Sequence, residues 1–143
     1  MNANAPVVSE LGVLTDRRRA KVVLSLGAPL GDITDVVRVY LSSEEAIECS
    51  EALKRADRTL FGSELGRRAG HFSMSVPGAV IDMDIDTKRF GIVLTVHLSS
   101  GEHYFLVDGT MLINACADGL LESALDLRRF MNGRRSTAAG GAP

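Results

Sequence analysis

Along Lys21–Gly27, KVVLSLG, the residues Val22, Leu24 and Leu26 alternate with Val23 and Ser25, the period-two pattern of a half-buried strand. GAPLGD then punctuates the chain, and Asp35–Leu41, DVVRVYL, resumes the same period. The pair predicts a hairpin whose loop, about seven residues, is longer than the common two to five. At Ser42 the period changes. Ser42-Ser43-Glu44-Glu45 is a capping box with Ser42 as N-cap and Glu45 three positions on. Ala46, Cys49, Leu53, Ala56 and Leu60 follow at spacings of three and four, while Glu44, Glu48, Glu51, Arg55 and Arg58 cover the other side. A helix ending near Phe61-Gly62 is expected.

Residues 62–78, GSELGRRAGHFSMSVPG, break every period and enclose at most a short strand at His71–Val76. Long irregular segments often carry contacts, so this one is a candidate contact surface as well as a connector. Ala79–Asp86, Arg89–Leu98 and Glu102–Val107 then read as three strands. Thr110–Met131 reads as a C-terminal helix stopped by Asn132-Gly133. Asp108-Gly109 is also a hairpin signal, which leaves residues 110–117 open to a strand reading; the Ala, Leu and Met content favours the helix.

Within IDMDIDTKRF, Asp82, Asp84 and Asp86 recur at every second position. A calcium loop would need glycine at position 6 and glutamate at position 12; Thr87 and Val93 stand there. The strand reading is stronger. If Thr87-Lys88 is a two-residue turn, Asp86 pairs with Arg89, and Ile85, Met83 and Ile81 oppose Phe90, Ile92 and Leu94 on one apolar face. The aspartates then share the other face with Arg89, Gly91, Val93, Thr95 and His97. In that register His97 lies about 13 Å along the strand from the position opposite Asp82, too far to share an ion. Only a third strand bringing in another histidine would reopen a metal site.

His97 and His103 flank one turn. A three-residue loop would set them opposite each other; a two-residue loop would send His103 to the apolar side with Phe105 and Val107. The chain has no G-x-S-x-G, C-x-x-C or H-E-x-x-H, and Gly27–Gly31 lacks the Lys-Ser/Thr of a phosphate cradle. Cys49 lies on an apolar stripe and Cys116 in an apolar run, as structural thiols do. No cofactor, metal or catalytic residue is expected, and the balance leans away from an enzyme.

Composition sets the frame. The 143 residues are 45% hydrophobic and 24% charged with net charge −2, which fits one globular domain and gives no drive towards nucleic acid. The arginine clusters at 17–19, 67–68, 128–129 and 134–135 have no aromatic platform beside them and read as solvated faces. No apolar run spans a membrane and no export signal opens the chain. With two cysteines, a reducing cytoplasm is the simplest location.

These readings combine into an α+β fold: an antiparallel β-sheet of about five strands with two helices on one face, order β-β-α-β-β-β-α. Residues 1–9 are expected as a flexible leader, 10–133 as the domain and 134–143 as a disordered tail. The element order is similar to that of the roadblock/LC7 domains, and the resemblance lies in order alone; it implies a small dimeric scaffold that binds or regulates GTPases. The expected function is a non-catalytic cytoplasmic interaction module, self-associating and binding another protein as adaptor, regulator or chaperone-like partner. Its docking surface would be the outer sheet face with Val93, Thr95, and Leu106 or Phe105. Two alternatives stand beside it. One is a small-ligand pocket or enzyme site near the 62–78 loop using Arg67, Arg68 and His71. The other is an acidic face of Asp82, Asp84 and Asp86, bordered by Arg89, that occupies a basic partner.

Overall fold

The computed structural model describes residues 4–62 and 71–140. Its elements run β1 (Glu10–Asp16), β2 (Lys21–Leu30), β3 (Ile33–Leu41), α1 (Ser43–Phe61), β4 (Phe72–Val76), β5 (Ala79–Asp86), β6 (Gly91–Leu98), β7 (Gly101–Asp108) and α2 (Thr110–Gly140). The α+β class is as expected. The described strands number seven in two antiparallel sheets, β1-β2-β3 and β4-β5-β6-β7.

Three turns differ from the sequence reading, each for a local chemical reason. β2 and β3 continue through most of GAPLGD and close on Gly31-Asp32, with Gly31 at φ +63°, so the expected seven-residue loop is a two-residue turn. β5 and β6 are joined by four residues, Thr87–Phe90, and Asp86 pairs with Gly91. Thr-Lys supplies no residue suited to positive φ, whereas the Asp86 carboxylate accepts from the Arg89 backbone N–H at 3.1 Å and fixes a wider loop. Gly91 is required where it stands: a Cβ there would lie 2.7 Å from the Val107 carbonyl oxygen. The third turn, Arg17–Ala20, reveals β1, whose strand character the sequence reading passed over.

The two-residue lengthening of the β5–β6 loop preserves parity. Ile81, Met83 and Ile85 still face the core, now opposite Val96, Leu94 and Ile92, while Phe90 swings into the loop and is 59% exposed.

α1 begins where the sequence places it. The Ser42 hydroxyl accepts from the Glu45 N–H at 3.1 Å and the Glu45 carboxylate accepts from the Ser42 N–H at 2.8 Å. α2 starts at Thr110, so residues 110–117 are helical, and it continues through Gly140. Gly133 does not adopt the positive φ of a helix-stopping glycine, so Asn132-Gly133 is not a stop. The first residues of the expected tail extend the helix instead.

One core joins the layers: Val22, Leu24 and Leu26 of β2, Leu53 of α1, Ile92 and Leu94 of β6, and Ile113 and Leu120 of α2 all bury into it. β1 lies along α2, with Val13 against Gly119, Thr15 Oγ1 2.7 Å from Ser123 Oγ, and Arg17 on Asp126 and the Phe130 ring. The described part of the stretch read as a loose leader, residues 4–9, forms a seam. Val8 N–H donates to the Leu106 carbonyl at 2.9 Å, Leu106 N–H donates to the Pro6 carbonyl at 2.8 Å, and Ser9 N–H donates to the Gly27 carbonyl at 2.8 Å. The N-terminal chain therefore bonds β7 first and β2 next, joining the two sheets.

Candidate functional site

The outer face of the second sheet is a lattice of three rows across β4–β7. Asp84 stands opposite Val93 and Leu106; Ser73, Asp82, Thr95 and Tyr104 form the next row; Val80, His97 and Glu102 form the third. Because Asp82 is opposite Thr95, His97 is its diagonal neighbour, within reach of a long side chain. The 13 Å separation expected from the shorter turn is thereby overturned: His97 Nε2 is 2.6 Å from Asp82 Oδ2. The third strand also brings its histidine. His71, just before β4, places Nδ1 2.8 Å from Asp84 Oδ1 and Nε2 3.3 Å from Asp82 Oδ1.

The result is a continuous chain of polar groups: Asp84, His71, Asp82, His97, Glu102 and Tyr104. His97 Nδ1 is 3.1 Å from Glu102 Oε1, and the Tyr104 hydroxyl donates to Glu102. Electrostatics follow the contacts. The hydrogen bond to Asp84 raises His71 above the ordinary imidazole value, as expected when both ring nitrogens face carboxylates. Burial alone would push Asp82 up, but the Ser73 hydroxyl, His97 and His71 outweigh it and hold the carboxyl below its usual range. The Tyr104 hydroxyl lowers Glu102, and Glu102 in turn raises Tyr104.

Asp86 is separate from this chain. Arg89 Nε donates to its Oδ2 at 2.7 Å, which lowers the carboxyl, and Arg89 Nη1 donates to the Ala5 carbonyl at 2.7 Å. Of the residues singled out by sequence, Asp82, Asp84 and His71 are thus brought together, Asp86 and Arg89 form a second pair, and Arg67 and Arg68 lie outside the described residues. Sequence reasoning missed His97, Glu102 and Tyr104 as members, because membership depended on the loop length. His103 takes the apolar side, as a two-residue loop requires, and its Nδ1 is 2.8 Å from Asp35 Oδ2 of β3.

The network directs its hydrogen-bonding capacity at itself. Among the described residues no three His, Cys, Asp or Glu side chains are arranged to hold a metal ion. Cys49 and Cys116 are buried in the main core, and burial pushes both thiols up to about 12.

The docking surface expected on this face is closed. Val93 and Leu106 are each 1% exposed and Thr95 8%, because Ala5 packs on Val93 and Leu106, and Phe105 belongs to the main core. Exposed apolar side chains lie on the first sheet instead. Leu14 and Tyr40 flank the buried Val23 in one row across its outer face, and Val36 lies further along β3 on the same side. Leu14 is 56% exposed and Val36 43%, and Leu30 and Ile33 project from the adjoining hairpin tip.

A scan against protein-family models finds no match to this chain, and a search of curated proteins finds no significant relative. Among the described residues no helix is long and apolar enough to cross a membrane.

Proposed function

We propose that the protein is a non-catalytic interaction module that self-associates through β3 and the outer face of the first sheet. The observation that carries this reading is the β3 edge. Among the described residues its nine residues pair only with β2, its outer face presents Val36 and Tyr40, and Ile33 is exposed at the hairpin tip. A long edge strand with open backbone groups and exposed apolar side chains is a template for another strand. A two-fold axis through Val36 sets Val36 against its copy and Thr34 against Arg38, and keeps the two Arg38 guanidinium groups apart.

The other readings find less support. The acidic row makes a poor decoy for a basic partner, since Asp84 and Asp82 are occupied by His71 and His97, and Asp86 by Arg89. Two buried free thiols suit a reducing compartment such as the cytoplasm.

Light scattering after size-exclusion chromatography tests the proposal. The expected wild-type species is a dimer, and Val36→Asp/Tyr40→Asp, at sites outside the core, should be a folded monomer. A wild type that stays monomeric at high concentration defeats it.

A further inference from the structure

Between α1 and α2 lies an open cleft of about 410 Å³, away from both sheets' outer faces. Ile47 and Leu121 supply its apolar lining, and Lys54, Arg55 and Arg58 its cations, with Glu51 the one carboxylate in the lining. Leu125, one turn beyond Leu121 on α2, is 43% exposed and Leu121 38%. Ser50 closes the floor by donating to the Ala117 carbonyl at 2.7 Å.

We infer that this cleft binds an amphipathic helix of a partner protein, with acidic residues along the flank that meets α1. Length points to a helix: Ile47 to Arg58 spans about 16 Å of α1, roughly three turns. Ile47 and Leu121 line the cleft and Leu125 extends the exposed apolar strip by one turn, a surface for the apolar face of an inserted helix. Charge selects the acidic flank. Lys54 is engaged by Asp118 at 2.7 Å and by Asn114 at 2.8 Å, so Arg55 and Arg58 are the charge offered outward. Openness argues against a small molecule, since ligand pockets typically enclose about 70–90% of their occupant.

The inference rests on the interaction-module reading but not on the dimer, so failure of one leaves the other measurable. The probe is a fluorescein-labelled helical peptide of about 16 residues with leucines at i, i+4 and i+7 and glutamates on one flank. Its twin carries lysines in place of the glutamates. Anisotropy with the full chain should show binding of the acidic peptide, weakened about tenfold by Arg55→Glu/Arg58→Glu, a surface double variant checked for folding by circular dichroism. Leu121→Ser should also weaken it. Equal affinity for the two peptides, no binding of the acidic peptide at about 1 mM, or indifference to the arginine reversal overturns the proposal. So does saturable binding of laurate that depends on Arg55 and Arg58 without peptide binding, which would assign the cleft to a small anionic amphiphile.

Discussion

Asp16 and Asp86 perform the same task in two hairpins. Each accepts from the backbone N–H three residues on, Arg19 at 3.0 Å and Arg89 at 3.1 Å, and each bonds that arginine's side chain. The next residue, Ala20 or Phe90, takes positive φ, at 54° and 51°. D-x-x-R thus encodes a four-residue turn twice in this chain. It was present in DRRRA and DTKRF but legible only through side-chain bonding, which periodicity does not register. The alternation did assign Asp82 and Asp84 to the outer face, because faces depend on parity alone; contacts depend on absolute register. His71 offers the sharpest residue-scale test. Its folded pKa is raised, so its contact contributes fully below the ordinary value of 6.5 and is lost as pH rises through the elevated one. The contribution is that of an exposed pair, less than about 1 kcal/mol. An NMR titration should place His71 above the ordinary imidazole range and Asp84→Asn should bring it down. An unchanged midpoint in the variant would show that the pairing does not form.

Among the elements, α1 was the most legible because three independent signals agree: capping box, apolar stripe and charged opposite face. Its cap is measurable. Ser42→Ala removes the acceptor for the Glu45 N–H and should cost about 1 kcal/mol in urea unfolding, whereas Ser42→Gly should cost only a few tenths. A loss near zero for Ser42→Ala would mean the hydroxyl bond contributes little. β1 was hidden for the opposite reason. ELGVLTD carries a glycine and two carboxylates, and its burial pattern is only partial. What makes it a strand is tertiary: the pairing with β2 and the contacts of Val13, Thr15 and Arg17 with α2. β2 lies one tight turn away, but no local window contains α2.

At the scale of the whole molecule, the N-terminal chain decides how two modest sheets become one structure. Ala5 is 2% exposed and Val8 8%, with Ala5 seated on Val93 and Leu106 and Val8 in the main core. Arg89 reaches from the β5–β6 loop to the Ala5 carbonyl, so the same arginine that shapes a turn also holds the seam. The segment Pro6–Val8 announces none of this, since its value lies in backbone bonds to β7 rather than in side-chain pattern. Removing residues 1–8 should therefore act far beyond a terminus. It strips two backbone bonds from Leu106, uncovers Val93 and Leu106, and deletes the buried Val8 side chain, a core residue of a size that contributes about 1.5–3 kcal/mol. The truncated chain should unfold at a clearly lower urea concentration and bind a hydrophobic dye that the full chain excludes. Losses in β6 and β7 should appear first, as faster amide exchange at Val93 and Leu106. If the urea midpoint and those exchange rates stay at their full-length values, the sheets hold together without the seam and β1 alone sets their arrangement.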